Sequence, residues 1–309
     1  MEGGLRRGPA ASGGLEERQQ PGVEGLDDQT PNTEEAAAFS LASGSSGNAI
    51  FLRSSGTRLL FDAGISAARI RRALHLRGER AEWLDGIFVS HEHSDHIAGL
   101  EVLARREGIP LFMTRGTYSS LCFKGKLRET VDYHVQFLEP GCPLRLGAVE
   151  VLPLSSPHDA QDPLCFRWSD GRSQVGIVTD LGHIPAHLTE AMAEVELLFL
   201  ESNYDQSMLL AGPYSWPLKQ RIDGPYGHLS NQAAADFACH LLERGCRRFV
   251  LAHLSATNNL PELAELTVGQ QLRRRAAELG CDFRLELAPR HEPSEPFYLG
   301  QSYREEASS

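Results

Sequence analysis

The stretch S-H-E-H-S-D-H spans residues 90 to 96 and holds three histidines, a glutamate and an aspartate. Imidazoles and carboxylates this dense repel one another and compete for protons unless a cation neutralises them. The chemistry they suit is metal ligation. His91 and His93 are two residues apart, so in an extended segment both point the same way, and Glu92 and Ser94 point away. Asp95 and His96 follow where a helix should start. The ordinary alternative is helix capping by Asp95 beside surface histidines. Capping accounts for one of the five groups and leaves the rest unexplained.

The elements that must hold this cluster are legible around it. D-G-I-F-V-S (85–90) is a continuous apolar run, as in a strand buried on both faces. Ile97, Leu100, Leu103 and Ala104 then recur at helical spacing, and Gly108 and Pro110 end that helix. The cluster therefore lies beyond the carboxyl end of a strand, where loops of α/β proteins converge on ligands. Upstream, A-F-S-L-A-S (38–43), N-A-I-F-L-R (48–53) and T-R-L-L-F-D (57–62) read as strands joined by S-G-S-S-G and S-S-G turns. Residues 65–77 are helical in character. Downstream, strands are expected at 148–154, 164–168, 174–179, 195–200 and 248–252, and helices at 185–193, 230–243 and 261–279. Runs of strands followed by alternating strands and helices predict layered α/β architecture, helix–sheet–sheet–helix.

Residues 1–36 are rich in Gly, Glu, Gln, Pro and Ala and carry eight acids against three arginines. They bury too little to offset ordering entropy and are expected to be a disordered tail. The domain is expected over 37–290, with a second tail over 291–309. The tail supplies −5 of the net charge of −11, leaving −6 for the body. That balance neither excludes nor supports a phosphate-rich substrate. Six scattered cysteines without C-x-x-C read as reduced thiols of a cytoplasmic protein. The N-terminus has no apolar signal region, and no run of about 18 apolar residues predicts a membrane span.

H-E-H-S-D-H resembles the H-x-H-x-D-H motif of the metallo-β-lactamase fold superfamily, and other elements follow in order. F-D-A-G (61–64) resembles its first motif, S-S-P-H-D-A (155–160) offers His158, V-T-D-L-G (178–182) offers Asp180, and L-A-H-L-S (251–255) offers His253. With F-S-L-A-S-G-S-S-G-N, L-E-S-N-Y-D, P-Y-S-W-P-L-K-Q-R-I, G-H-L-S-N-Q-A-A-A and L-A-H-L-S-A-T-N-N, residues 38 to about 270 look like the YycJ/VicX/WalJ branch, associated with 5′-to-3′ exonuclease activity on duplex DNA. The resemblance implies a four-layer αββα sandwich of two mixed sheets and two divalent metal ions. It implies His91, His93 and His158 on one ion, Asp95, His96 and His253 on the other, Asp180 between them, and Asp62 supporting the loop.

The residue chemistry agrees with that assignment. Three imidazoles with one open position suit catalytic zinc. Carboxylates beside imidazoles suit Zn, Mn or Fe, and ligand types alone leave these open. Water between two such cations becomes a hydroxide nucleophile near neutral pH. Asp95 would orient that hydroxide or take its proton. Similarity to the G-H-[AV]-S element of β-CASP nucleases implies that His228 binds phosphate or protonates the leaving oxygen. Otherwise His228 is a helix-entry histidine bonded to backbone, ahead of Ser230 as N-cap. Asn203 and Asp205 would brace the site or serve only structure. Lys219 and Arg221 flank His228 in a long loop and are candidates for substrate contact. The S-G-S-S-G-N loop is either a phosphate cradle or a plain hairpin turn. His183 lies near Asp180 and is a candidate brace for it.

The expected function is a two-metal phosphodiesterase acting on nucleic acid, DNA first, with no membrane or protein partner indicated. A small-molecule hydrolase (cyclic phosphodiesterase, lactonase or thioesterase) shares every metal ligand but has less use for His228. A metal-bearing signalling partner without catalysis is disfavoured by the intact ligand set. The short chain between Asp180 and His253 leaves no room for a full β-CASP capping domain.

Overall fold

The computed structural model describes residues 35–128 and 133–300. The expected N-terminal tail, up to residue 34, lies outside the described residues. Six strands come first: β1 (Ala37–Ala42), β2 (Ala49–Ser54), β3 (Thr57–Phe61), β4 (Gly86–Phe88), β5 (Leu111–Met113) and β6 (Val135–Phe137). Then come β7 (Leu144–Leu146), β8 (Val149–Ser155), β9 (Leu164–Ser169), β10 (Gln174–Val178), β11 (Leu197–Glu201), β12 (Arg248–Ala252), β13 (Arg284–Leu287) and β14 (Phe297–Tyr298). They form two seven-stranded sheets, ordered β14-β1-β2-β3-β4-β5-β6 and β13-β12-β11-β10-β9-β8-β7. Each is mixed. In the first, β1–β3 are antiparallel and β3–β6 parallel. In the second, β7–β10 are antiparallel and β10–β13 parallel.

The helices are α1 (Ala67–Leu76), α2 (Ser94–Ile97), α3 (Leu100–Glu107), α4 (Arg115–Phe123), α5 (Ala186–Ala191), α6 (Gln206–Ala211), α7 (Trp216–Ile222), α8 (Asn231–Glu243) and α9 (Pro261–Leu279). Three apolar clusters show how they stack. One joins α1, α3 and α4 to β1–β5 through Ile70, Leu103, Leu121 and Ile87. A second joins α5, α8 and α9 to the other sheet through Leu188, Leu241, Leu272 and Leu200. The third lies between the sheets, where Phe61 and Phe88 meet Phe166 at ring distances of 5.3 and 5.8 Å. Three clusters separate four layers, the αββα sandwich. Both sheets are covered on both faces, which is why the parallel strands read as unbroken apolar runs.

Five short strands, β5, β6, β7, β13 and β14, and three helices, α4, α6 and α7, come in addition to the expected elements. Helix α7 stands where Lys219 and Arg221 are expected in a long loop. Two further details depart from the expectations. The helix after the histidine cluster is split into α2 and α3 at Gly99. The Gly99 amide donates to the Ala63 carbonyl at 2.8 Å, and a side chain there would collide with the Ile65 carbonyl. The expected C-terminal tail from 291 is corrected as far as Gly300. Phe297 and Tyr298 pair with β1, and Phe297 and Leu299 are each 5% exposed within the inter-sheet core. That burial offsets the cost of ordering the segment. Among the described residues no helix is long and apolar enough to cross a membrane.

Candidate metal centre

The site lies where strands of both sheets end. β3 leads into Asp62, β4 into His91–His96, β8 into His158, β10 into Asp180 and β12 into His253, and β11 ends at Glu201. Asp62, Asp180 and His253 have φ of 61°, 60° and 55°. Left-handed backbone at a residue with a Cβ costs about 1–3 kcal/mol and persists where surrounding contacts over-determine it. Here it turns Asp180 and His253 off their strand ends into a common space and sets Asp62 behind His96. Gly64 in F-D-A-G has a separate reason. A side chain there would collide with the Asp95 carbonyl. Its absence lets the loop seat against Asp95, whose carbonyl also accepts from the Asn48 amide at 2.8 Å.

The ring nitrogens are oriented from behind. Asp62 accepts from the Ser90 amide and hydroxyl at 2.8 Å each and holds His96 Nδ1 at 2.7 Å. Ser90 Oγ lies 2.9 Å from His91 Nδ1. His158 Nδ1 donates to the Gly227 carbonyl at 2.9 Å. Glu92 points away from this space, as expected, and accepts from Ser120, Lys124 and the Gln161 amide.

On the facing side, ligand-type atoms fall into groups lying within 4.8 Å of one another: His91, His93 and His158; Asp95, His96 and His253; His91, His96 and Asp180; and Asp180, Glu201, His228 and His253. Asp180 thus belongs both with His91 and His96, which follow β4, and with His253. His91 Nε2 and Asp180 Oδ2 are buried without a hydrogen-bond partner. His96 Nε2 is 3.3 Å from that oxygen without hydrogen-bond geometry. A buried carboxylate oxygen left unpaired costs several kcal/mol unless a cation meets it, on the order of the penalty for buried charge. The donor set therefore fits divalent cations, as the fold implies.

The two sides of the site hold protons differently. Burial pushes His91 well below the usual imidazole range, with His96, His158 and His93 adding to the shift. Burial likewise lowers His93, with His158 adding to it. Burial opposes the charge on His96 too, but Asp180, Asp62 and Asp95 outweigh it and raise it to about 9. His253 is raised well above the ordinary value against burial by Asp180, Asp95 and Glu201. Burial opposes ionisation of Asp95, yet the hydrogen bond from His253 and the charge of His96 hold it well below the carboxylate range.

Glu201 is not among the residues that the sequence points to. It is fully buried at the end of β11. Its Oε1 receives His253 Nδ1 at 2.7 Å and His228 Nδ1 at 2.9 Å, and its Oε2 receives the Leu229 amide at 2.9 Å. Burial opposes its ionisation, but His228 and His253 keep it deprotonated. Glu201 in turn raises His228 against burial. The only signal in the chain is a lone acid closing the apolar run L-L-F-L-E, within L-E-S-N-Y-D.

The remaining expected residues separate. Arg221 lines the cleft and pairs with Asp159. Lys219 does not reach it. Its ammonium donates to the Leu210 carbonyl at 2.6 Å on the other side of α7. Asn203 donates to the His253 carbonyl at 2.8 Å and so holds that turn. Asp205 caps α6, Ser230 caps α8, and His183 bonds the exposed Pro225 carbonyl rather than Asp180. The cleft has a volume of about 270 Å³, and Ser45, Tyr214 and Asp159 are also in its lining.

Residues 57–254 match the family described as "Beta-lactamase superfamily domain". The chain is 34% identical over 245 residues to the exodeoxyribonuclease WalJ of Streptococcus pneumoniae serotype 2 (strain D39 / NCTC 7466), covering 79% of this chain and 91% of the relative. It is 32% identical over 247 residues to the exodeoxyribonuclease YycJ of Bacillus anthracis, covering 79% and 92%. Among solved structures it is similar in fold to the metallo-β-lactamase fold protein YhfI from Bacillus subtilis, with TM-score 0.60, 20% identity and coverage of 84% and 99%.

Proposed function

Since this chain belongs to the β-lactamase superfamily of metal-dependent hydrolases, we propose that it is a two-metal phosphodiesterase that degrades DNA from its ends, 5′ to 3′ on duplex substrate. The observation that carries this reading is Asp180, a buried carboxylate with an unpartnered oxygen standing between two donor groups. The identity shared with two exodeoxyribonucleases over most of the chain supports DNA as the substrate.

His91, His93 and His158 would hold one divalent cation, and Asp95, His96 and His253 the other, with Asp180 facing both. Zn or Mn suits this donor set, and Fe fits it as well. Bound cations at such a site acidify water and neutralise charge on the attacked phosphate. The rest of the chemistry belongs to the chain. Asp95 is kept deprotonated and is the group that orients the attacking water. His228 has its Nδ1 committed to Glu201 at 2.9 Å, leaving Nε2 for the cleft that the residue lines. With its proton affinity raised by the carboxylate behind it, His228 donates to the departing oxygen. Asn203 and Asp62 hold His253 and His96 in register. Arg221 is placed to meet a phosphate when its pairing with Asp159 yields.

The test is a nuclease assay on protein stripped with chelator and reloaded with Mn²⁺ or Zn²⁺, using duplex DNA labelled at the 5′ or the 3′ end. Metal-dependent release from 5′ ends, lost in Asp180→Asn, is expected. Loaded protein that hydrolyses a lactone or thioester but neither DNA nor bis-(p-nitrophenyl) phosphate would overturn the reading.

A further inference from the structure

The active cleft is poor in free cations. Asp95, Asp159 and Asp180 line it, and its one arginine, Arg221, is paired with Asp159. A nucleic acid carries a charge on every nucleotide, and the chain outside its first 36 residues carries −6. Phosphates flanking the scissile bond therefore need positive charge supplied close to the cleft.

Ser45, in the loop Gly44–Gly47, lines the cleft. A second cavity of about 340 Å³ has a lining that includes Arg69, Arg72 and His291 with apolar Leu41 and Ile65. No residue lines both concavities, and the link between them runs through the loop. Gly47 packs on Ile65, and Ile65 follows Gly64, which packs on Asp95. The cationic groups are not absorbed by the fold. Arg72 is exposed on α1 and makes no hydrogen bond or ion pair among the described residues. Arg69 uses one guanidinium nitrogen on the His291 carbonyl at 3.3 Å. Arg290 stands behind Gly44. Its Nη2 bonds the Leu254 carbonyl at 2.9 Å, and its Nη1 is buried without a hydrogen-bond partner. Glu292 is the one carboxylate of the lining, against Arg69 and Arg72, and leaves it net positive.

We propose that this cavity is a second phosphodiester subsite, in which Arg72 and Arg69 hold the backbone of the substrate beyond the Gly44–Gly47 loop while the scissile phosphate sits in the cleft. The proposal rests on the nucleic-acid reading above. It assigns the Gly/Ser loop as a divider between two phosphate positions.

The experiment uses metal-loaded full-length protein and measures kcat/KM for end-labelled duplex DNA against salt concentration. Arg72→Gln should lower kcat/KM roughly fivefold at low salt and make the slope of log kcat/KM against log salt shallower by about 0.9, the change for a single phosphate no longer neutralised. Arg72→Lys should restore the slope. The loss should be larger on duplex DNA than on bis-(p-nitrophenyl) phosphate, which is too small to bridge the loop. Arg244→Gln, a change of equal charge at the end of α8 on the other sheet, should leave the slope where it was. A wild-type slope in Arg72→Gln, on an enzyme that cuts DNA, overturns the subsite and spares the nuclease reading. Failure of the wild type to cut or bind DNA overturns both.

Discussion

The histidines on one side of the site and those on the other share a residue type and little else. His91 and His93 sit among other imidazoles, and burial keeps them neutral. His96, His253 and His228 are each backed by a carboxylate, Asp62 for the first and Glu201 for the other two. The first side is ready to ligate across the neutral range. The second stores protons that a cation must displace. Burial alone makes a soft, neutral donor set, whereas burial with a buried acid makes a site whose occupancy depends on pH.

The largest effect should come from the residue common to both sides. Asp180→Asn removes the charge that faces each donor group and should lower kcat by about 10³-fold or more. Metal content by mass spectrometry should fall in parallel. Full double occupancy in that variant would break the link between the two sides. Glu201→Gln acts on the second side only. It should lower kcat by about 10²-fold, within the range for losing a positioned proton donor. The alkaline limb of the kcat profile should move to lower pH, because His228 loses the charge that raises its proton affinity. A uniform loss with an unmoved limb would reduce Glu201 to a structural brace.

The pH dependence of metal loading sharpens the contrast. His96 in the metal-free protein holds its proton up to about 9. Below that value a cation on the second side competes with a proton, so affinity should rise with pH by about tenfold per unit for each proton displaced. The first side should depend less on pH, since burial keeps His91 and His93 neutral. Calorimetry in buffers of different ionisation enthalpy would count the protons released at each step, and equal release at both steps would erase the distinction. The same His96 shift bears on the metal-free fold. A pKa raised on folding adds stability that is complete below about 6.5 and is lost as pH rises through about 9. Thermal melts of stripped protein should therefore fall across that window. The smallest effects separate two neighbours on α7. Arg221→Ala should raise KM for DNA a few-fold, roughly what a partly exposed charge contributes. Lys219→Ala should change it by less than about twofold, since its ammonium is engaged at Leu210.

How much of this is legible in the chain does not follow that division, because each side mixes clustered and isolated residues. His91, His93, Asp95 and His96 are contiguous, so strand period and helix start are enough to bring them together. His158, Asp180 and His253 stand alone in sequence, and only resemblance to a family marks them. Glu201 escapes because an acid closing an apolar strand looks like any strand end. Lys219 misleads because proximity in a chain is not proximity in space. Two residues from Arg221 on a helix, it faces another direction. Phe297 and Leu299 are hard to see because a short polar-flanked segment has no periodicity long enough to read.

The sequence by itself determined most of the longer elements, the two covered sheets and the dense half of the site, because these follow from hydrophobic period and local spacing. The tertiary structure alone decided that β8, β10, β11 and β12 end at the same place as β4. It also decided that one buried carboxylate serves two histidines 25 residues apart, and that three strand ends turn through left-handed backbone. Those outcomes depend on strand order and sheet packing, which are collective properties of the folded chain and are not carried by any local stretch of residues.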